Sequence, residues 1–158
     1  MTELRPMQAS DIEGLISWVP SVPLWHRYGL TAPKLTTQLE AALKAGDLLR
    51  VAYDQEAYGN QAACGFYWCQ PKAAFGRSAY LKLIGVKEDY RDKGIGDALL
   101  ETLEQELKGS SKDLFLLVSD FNEGAQRFYL RHGFEKLGRI SSYVLPEVDE
   151  FIFRKILT

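Results

Sequence analysis

The segment RDKGIG, residues 91–96, combines two glycines with two cations and is the strongest candidate for chemistry in the chain. It follows the apolar run YLKLIGV and precedes DALLETLEQEL, whose leucines recur at helical spacing. A helix that starts here leaves its first amides unpaired and aimed at one point, where the helix dipole favours an anion. Gly94 and Gly96 carry no Cβ and let that anion approach the backbone closely. The spacing therefore predicts a phosphate-binding loop.

This loop matches neither of two common nucleotide motifs. A nucleotide P-loop needs GxxxxGK followed by Ser or Thr, and the chain contains no such string. A dinucleotide fold needs GxGxxG, and Leu99 takes the place of the third glycine. Arg91 and Lys93 can support a diphosphate from the rim, although Lys93 also fits as a solvated surface charge. The two glycines alone also fit an ordinary tight turn, so the loop by itself does not identify a ligand.

The elements that must hold this loop follow from hydrophobic periodicity. Strands are predicted at TELRPM, LLRVAY, AACGFYWC, residues 80–86, DLFLLV, FEKLGRISSYV and EFIFRKIL. Helices are predicted after Ser10, from Thr31 to Gly46, after the glycine loop and across residues 125–132. A loop rich in proline and aromatic residues, WVPSVPLWHRYGL, separates the first two helices. The order β-α-α-β-β-β-α-β-α-β-β indicates an α/β (α+β) fold in which helices flank both faces of a mixed sheet.

Length and composition bound the class of protein. The chain has 158 residues, of which 46% are hydrophobic, so we expect one domain spanning 1–158. A net charge of −2 argues against a basic face for nucleic acid. No apolar run approaches the ~20 residues that span a bilayer, and the N-terminus lacks a signal-peptide core, so we expect a cytoplasmic protein without a membrane partner. Cys64 and Cys69 are expected to be reduced, buried and inert. No metal site is predicted. Aromatic residues at the surface would allow a homodimer.

Two longer segments carry a resemblance to a known family. GVKEDYRDKGIGDALL is similar to the coenzyme motif of the GNAT superfamily of acetyl-coenzyme A-dependent N-acetyltransferases, in which Arg or Gln is followed by xxGxG after a strand. NEGAQRFYLRHGF is similar to the family's second motif, with Asn, Ala, an aromatic pair and Gly-Phe. The order of the two motifs and the element order of almost the whole chain also match. The resemblance implies a GNAT-like, mostly antiparallel sheet and acetyl-CoA as co-substrate.

The resemblance implies coenzyme-binding roles for the matched positions. The pyrophosphate would be bound by the backbone of the loop, which consists of Arg91, Asp92, Lys93, Gly94, Ile95 and Gly96. The edge of the preceding strand around Ile84 and Val86 would hydrogen-bond the pantetheine arm, and Gly85 would remove a side chain there. Asp92 stands where many members have glycine, and we expect its carboxylate to point to solvent.

Two residues of the second motif have competing interpretations. Asn122 corresponds to an asparagine that contacts the pantetheine, but it also precedes a helix that it can cap, and one amide can do both. Tyr129 corresponds to the tyrosine near the thioester sulfur and is the catalytic residue we predict, although its place on an apolar stripe also fits a core aromatic. A phenol of pKa ~10 donates its proton uphill to a thiolate whose acid has a pKa of ~8.5. We therefore expect Tyr129 chiefly to hydrogen-bond the thiolate.

The chain departs from the family's pattern at the general base. Many members place a glutamate on the strand before the loop, and here that strand carries no carboxylate. Weak candidates for the base lie in regions from which the family builds its acceptor pocket: His26, Glu147, Asp149 and Glu150. Weak candidates for lining that pocket are Trp25, His26, Tyr28 and Tyr143. Trp25 and Tyr28 fit equally well as residues that pack their loop onto the sheet.

We expect an N-acetyltransferase that moves an acetyl group from acetyl-CoA to a primary amine of a small molecule, peptide or protein. The resemblance implies that the amine attacks the thioester directly, which is the family's usual route, and neither cysteine has a nearby histidine in sequence to suggest an acyl-enzyme. The alternative is a non-catalytic acetyl-CoA-binding sensor or scaffold. The missing strand carboxylate supports this alternative, whereas Tyr129 opposes it.

Overall fold

The computed structural model describes residues 2–157, and these residues form two compact units. The first unit contains the described residues of Met1–Cys69 together with Leu83–Gln105. The second contains Gln70–Lys82 together with the described residues of Glu106–Thr158. The predicted phosphate loop therefore belongs to the first unit, whereas Asn122 and Tyr129 belong to the second.

The described residues contain a seven-stranded sheet. Its strands are β1 (Thr2–Pro6), β2 (Leu48–Asp54), β3 (Ala63–Ala74), β4 (Ser78–Val86), β5 (Asp113–Ser119), β6 (Glu135–Ile140) and β7 (Glu150–Ile156). Their order in the sheet is β1-β2-β3-β4-β5-β7-β6. The pairs β1–β2, β2–β3, β5–β7 and β6–β7 are antiparallel, while β4 and β5 run parallel at Ala79–Leu114 and Tyr80–Phe115. The predicted fold class, with a mixed and mostly antiparallel sheet, is confirmed.

The helices follow the predicted order with one addition. Within residues 2–157 the α-helices are α1 (Ile12–Ile16), α2 (Pro23–Arg27), α3 (Ala32–Ala45), α4 (Ile95–Leu107) and α5 (Glu123–Arg131). The loop predicted between the first two helices is wrong in part, because it contains the short helix α2. Pro23 occupies the first turn of α2, where a missing N–H costs nothing and the fixed φ favours helix. None of the described helices is long and apolar enough to cross a membrane.

The core of the first unit packs aromatic side chains of α1 and its flanks against β3. The Trp18 ring meets Phe66 edge-on, with 6.2 Å between centroids, and its Nε1–H donates to the Ala63 carbonyl at 2.9 Å. Cys64 and Cys69 are buried and form no disulfide, as predicted. Burial raises the pKa of the Cys64 thiol, which keeps it protonated and unreactive.

The second unit is held by a buried ion pair and an aromatic cluster. Asp113, at the start of β5, accepts from the Nε and Nη2 atoms of Arg154 on β7 at 3.0 and 2.9 Å. Both guanidinium nitrogens meet one carboxylate oxygen, Oδ2, and this contact ties the two strands together. The ring of Tyr129 on α5 lies 6.3 Å from Phe153 and 5.4 Å from Phe134, so the helix is seated on the sheet through aromatic contacts.

Candidate functional site

The phosphate loop has the geometry of a helix start. Gly94 adopts a left-handed conformation, with φ of 80°, and its carbonyl accepts from the Ala98 N–H at 3.0 Å. A Cβ added to Gly94 would meet nothing within 4 Å, so backbone conformation rather than space demands glycine. The amides of Ile95, Gly96 and Asp97 follow in the first turn of α4, where an α-helix offers them no internal acceptor.

Asp92 stands at a position of the loop whose backbone conformation favours glycine. It is exposed and adopts a left-handed φ of 62°. Aspartate and asparagine enter this region more easily than other side chains, because a short polar group can bond locally. The left-handed conformation is thus adopted without glycine, at the cost of an acidic group in the loop.

A tyrosine that the sequence analysis missed fixes the residue before the loop. The hydroxyl of Tyr90 donates a short hydrogen bond to Oδ2 of Asp54, the last residue of β2. This bond is the main reason that the pKa of Tyr90 rises to about 12 and that the pKa of Asp54 falls. Lys93 lies over the same ring, with Nζ 5.4 Å from the centroid. Tyr90 therefore links the loop to β2 through its hydroxyl and to Lys93 through its ring face.

A second missed residue sets the position of α4. A Cβ on Gly65 of β3 would lie 3.2 Å from the Gly85 carbonyl oxygen. It would also lie 3.3 Å from Cγ2 of Ile95 and 3.3 Å from Cδ1 of Leu99. Gly65 thus lets the first turns of α4 approach the sheet closely, and the helix start depends on that approach.

Strand alternation decides which backbone groups of β4 face outward. The Lys87 N–H donates to the Cys64 carbonyl at 2.8 Å, so residue 87 faces β3. In such pairing alternate residues point to opposite sides, which directs the N–H and C=O of Ile84 and Val86 away from β3. The Val86 carbonyl accepts from Nε of Arg91 at 3.3 Å. The two residues predicted to present the strand edge are those whose backbone groups point away from β3.

Gly85 and Trp25 are a matched pair. A Cβ on Gly85 would lie 2.2 Å from Cη2 of Trp25, a distance that real Cβ atoms do not show. Trp25 is 8% exposed and belongs to the core, with its ring 5.9 Å from Phe66. Gly85 therefore makes room for an indole. His26 on α2 is exposed, and Tyr28, the residue directly after α2, is half-buried.

Tyr129 in the second unit is buried to 7% exposure. Burial raises the pKa of its hydroxyl above the ordinary value, and the field of Tyr80 acts in the same direction. The phenol therefore stays protonated across the physiological range and can act as a hydrogen-bond donor. Transfer of its proton to a thiolate becomes more uphill than for a free tyrosine.

Tyr80 on β4 is a third residue that the sequence analysis missed. Burial raises its pKa to about 12, with further contributions from the negative charge of Glu150 and from Tyr143. Glu150 is 5% exposed at the start of β7, whereas Tyr143 is 59% exposed. The charge of a buried carboxylate, Glu150, thus acts on a phenol of the second unit. The available signal was the one aromatic residue in the strand SAYLKLIGV.

Asn122 caps α5. Its Oδ1 accepts from the Ala125 N–H at 3.1 Å, which confirms the capping interpretation. This bond uses the oxygen of the amide, and the Nδ2 group is the part suited to donate to a ligand. In the same turn the Gln126 side chain donates to the carbonyls of Ser119 and Asp120 at 3.2 and 3.1 Å.

The structure groups the predicted residues within each unit. The first unit holds the loop, the Ile84–Val86 edge, Trp25, His26 and Tyr28, and the second holds Asn122, Tyr129 and Tyr143. The residues that sequence reasoning missed contact partners far away in the chain, as Tyr90 contacts Asp54 across 36 positions. Among the described residues no group of three or more His, Cys, Asp or Glu side chains is arranged to hold a metal ion.

The mixed sheet and the glycine-led helix start fit the class of coenzyme-dependent acyltransferases that the two sequence motifs resemble. Residues 45–136, more than half of the chain, match the family model described as an acetyltransferase (GNAT) domain. The chain belongs to the GNAT acetyltransferase family, whose co-substrate is acetyl-CoA. The recognition made from the two motifs is confirmed.

Individual relatives agree with this assignment. A curated relative, probable N-acetyltransferase san from Drosophila melanogaster, is 28% identical over 119 residues, covering 73% of this chain and 62% of the relative. The chain thus spans less than two thirds of that protein's length. The solved Arabidopsis thaliana NAA60 in complex with acetyl-CoA is 20% identical over 99% of both chains, with a TM-score of 0.81. The ribosomal-protein-S18-alanine N-acetyltransferase from Escherichia coli is 20% identical, with a TM-score of 0.75 over 100% of this chain and 95% of that chain. At such identities the structures share the fold.

Proposed function

We propose that the chain is an enzyme that transfers the acetyl group of acetyl-CoA to a primary amine of a small molecule, peptide or protein. The observation that carries the proposal is the helix start at Gly94, where a left-handed glycine precedes the first amides of α4. Family membership supports acetyl-CoA as the ligand for that loop. We propose further that the whole chain, 1–158, works as one cytoplasmic acetyltransferase domain, active as a monomer or a homodimer.

The proposed coenzyme contacts are made by the loop, by the edge of β4 and by Asn122. Backbone amides from Arg91 to Gly96 would bind the pyrophosphate, with Lys93 adding charge from the rim. The outward groups of Ile84 and Val86 would pair with the pantetheine like a further strand, after Arg91 releases the Val86 carbonyl. The Nδ2 group of Asn122 would donate to the same arm.

The chemistry asks two things of the protein, a deprotonated amine and a stabilised leaving thiolate. An attacking amine of pKa ~10.4 must lose a proton, which costs about 4 kcal/mol at neutral pH unless the site shifts that pKa. Its nitrogen then bonds to the thioester carbon while the carbon–sulfur bond breaks and sulfur leaves as thiolate. Tyr129 would donate a hydrogen bond to that sulfur, a role supported by its protonated state. The proton lost before attack and the second proton lost as the amide forms would pass to water, to the thiolate or to a carboxylate, of which Glu150 is buried and acts on Tyr80.

A second candidate function is an acetyl-CoA-binding module without turnover. It is favoured by the absence of any Asp or Glu in β4, the strand that carries the base in many relatives. Calorimetric binding of acetyl-CoA fits both functions. Release of free thiol with an amine panel separates them, because a module binds the coenzyme and never turns over. Peptide amines belong in the panel, since one structural neighbour is named for an alanine of a ribosomal protein.

The chain offers a matched pair of glycines for testing the loop. Gly94 and Gly109 have φ of 80° and 83°, and a Cβ on either would meet nothing within 4 Å. Ala substitution therefore imposes similar backbone strain at both, of about 1 kcal/mol. We expect Gly94→Ala to weaken acetyl-CoA binding about tenfold or more and Gly109→Ala to leave it within about twofold. Equal affinity for the two variants would refute the loop as the coenzyme site.

A further inference from the structure

The turn that joins β3 to β4 presents a phenylalanine on an unfavourable backbone. Its central residues, Phe75 and Gly76, have φ of 58° and 68°, and the Arg77 N–H donates to the Ala74 carbonyl at 3.1 Å. Turns with two positive φ values favour Asn-Gly, because most side chains crowd the backbone in this region. Phe75 is nevertheless 81% exposed, so burial within the chain offsets little of that strain. A strained side chain that its own fold barely buries is a candidate for contact with a partner.

The Phe75 ring belongs to a larger surface of the second unit. It meets the ring of Phe115 on β5 edge-on, with 5.8 Å between centroids. Arg154 on β7 pairs with Phe115, and its Cζ atom lies 5.8 Å from the same centroid. Ile156, two residues further along β7, shares that face and is 53% exposed, while the exposed acid Glu135 stands opposite Arg154 on β6. We call this surface the hairpin patch, and its members are Phe75, Phe115, Arg154 and Ile156.

Cations border the hairpin patch. Lys72 and Arg77 stand on either side of the turn, and both are exposed. Arg77 directly precedes β4 and the exposed Lys112 directly precedes β5, so the parallel pairing of these strands brings the two cations to the same end of the sheet. Residues 57–87, which include the whole turn, contain four Lys or Arg and no Asp or Glu. The turn side of the patch is therefore basic, in a chain whose net charge is −2.

A second exposed aromatic residue has the opposite setting. Tyr58 is 89% exposed in the first unit and follows two acids, Asp54 and Glu56. A charged surface acts on side chains within a Debye length of about 10 Å, so local charge rather than net charge decides which aromatic residue it attracts. Phe75 is thus complementary to a negatively charged surface, and Tyr58 is not.

We propose that the hairpin patch binds the surface of an anionic phospholipid membrane. Phe75 would enter the interface between headgroups and acyl chains, and the bordering cations would contact the anionic headgroups. A lipid interface receives an exposed ring without a preformed cavity, whereas an aromatic anchor in a protein complex fills a shaped pocket. The expectation of no membrane partner rested on the lack of a spanning segment, and binding at the surface needs none. Membrane binding would not depend on the proposed acetyl transfer.

The test is co-sedimentation of the full chain with vesicles. We expect partitioning into phosphatidylcholine vesicles that contain about 30% phosphatidylserine to be at least about tenfold stronger than into pure phosphatidylcholine, and to fall steeply with added salt. Phe75→Asn introduces the Asn-Gly pair that such a turn favours and removes the ring, so it should keep or raise the urea midpoint while weakening partitioning about tenfold. Arg77→Gln should weaken partitioning about fivefold. Tyr58→Ala is the control and should stay within about twofold of the wild-type protein.

Equal partitioning into the two kinds of vesicle would overturn the inference, and so would equal losses in Phe75→Asn and Tyr58→Ala. If Phe75→Asn lowers the urea midpoint, Arg77→Gln decides the matter, because this exposed side chain can change without disturbing the core. Unchanged partitioning of Arg77→Gln would then rule out the membrane. Binding to poly-L-glutamate in solution without binding to either vesicle would assign the patch to an acidic polypeptide instead.

Discussion

The two compact units fix their candidate ligand-binding segments by different means. In the first unit, glycines without a side chain determine the geometry. Gly65 leaves room for α4, Gly85 leaves room for the Trp25 indole, and Gly94 adopts the left-handed conformation of the turn. In the second, polar side chains bond to backbone groups, as Asn122 does at α5 and Asp149 does in the β6–β7 loop.

This difference has a physical consequence for mutation. A steric requirement for glycine is close to all-or-none, because even one methyl group collides with a neighbour or strains the backbone. A carboxylate that accepts hydrogen bonds can be replaced by an amide with partial loss. Substitution of these glycines in the first unit should therefore have most of its effect with the first added methyl group. In the second unit, the effect of a substitution should depend on how much hydrogen-bonding capacity the new side chain keeps.

The largest effect on folding is expected for Gly85→Ala, because its new methyl group would lie 2.2 Å from Trp25. Relieving that overlap should cost about 1–3 kcal/mol of the free energy of unfolding, measured by urea denaturation. Gly138→Ala in β6 is the control, since a Cβ there meets nothing within 4 Å. Trp25→Leu in the Gly85→Ala background should recover part of the loss. Equal destabilisation by the two glycine substitutions would break the contrast.

The largest effect on chemistry is expected for Tyr129→Phe, which removes a buried donor and keeps the aromatic ring. We expect kcat to fall roughly 10- to 100-fold with an acetyl-CoA KM within about twofold, measured by single-turnover and steady-state assays. Tyr58→Phe, at a residue that is 89% exposed, is the control. An unchanged single-turnover rate would remove Tyr129 from the reaction.

A smaller effect is expected at the hydrogen bond that anchors the loop. Tyr90→Phe and Asp54→Asn each disrupt the contact between the two side chains, so both should raise the acetyl-CoA KM about three- to tenfold. The acceptor KM should stay constant, because this hydrogen bond anchors the proposed coenzyme loop. The double variant should lose little more than either single one. Additive losses would mean that the two residues act independently.

A still smaller effect, and a gain, is expected at Asp92. Asp92→Asn removes a negative charge beside the proposed pyrophosphate and keeps the tolerance for a φ of 62°, so acetyl-CoA affinity should rise about two- to threefold. Asp92→Gly removes the charge and the backbone cost together, and should also raise the free energy of unfolding by about 0.5–1 kcal/mol. Weaker binding by both variants would show that the carboxylate helps the ligand.

The subtlest comparison concerns two tyrosines that share a pKa of about 12 for different reasons. The pKa of Tyr90 is raised first by its hydrogen bond to Asp54, and that of Tyr80 first by burial. Ultraviolet titration should therefore place Tyr90 near 10 in Asp54→Asn, whereas Glu150→Gln should lower the pKa of Tyr80 only slightly. A large fall in the second variant would contradict burial as the main cause.

The raised pKa of Tyr90 makes the free energy of unfolding depend on pH in a defined direction. A folded-state pKa of about 12 exceeds the unfolded value of 10.0, so the contribution of Tyr90 is complete below pH 10 and is lost as pH rises toward 12. The slope of unfolding free energy against pH in that window should be shallower in Tyr90→Phe than in the wild-type protein. Identical slopes would exclude the hydrogen bond as a source of stability.

Periodicity and glycine placement predicted the element order and the loop, because these depend on residues close together in the chain, whereas the strand edge was predicted from the family resemblance. The helix α2 escaped prediction because WVPSVPLWHRYGL was interpreted as a loop rich in proline, whereas Pro23 takes a first-turn position. The pairs Tyr90–Asp54 and Trp25–Gly85 could not be predicted, since their members meet only after distant strands and helices pack. Asp149 was placed correctly near the final hairpin, but its sequence position does not reveal that Ser142 and Arg139 occupy its carboxylate.

The contact between Trp25 and Gly85 gives the protein an optical reporter. An indole pressed against the strand assigned to pantetheine, and shielded from water at 8% exposure, emits in an apolar setting that any shift of the strand would alter. Fluorescence of the wild-type chain, with Trp25→Phe as the blank for the other two tryptophans, should therefore follow coenzyme binding without a label.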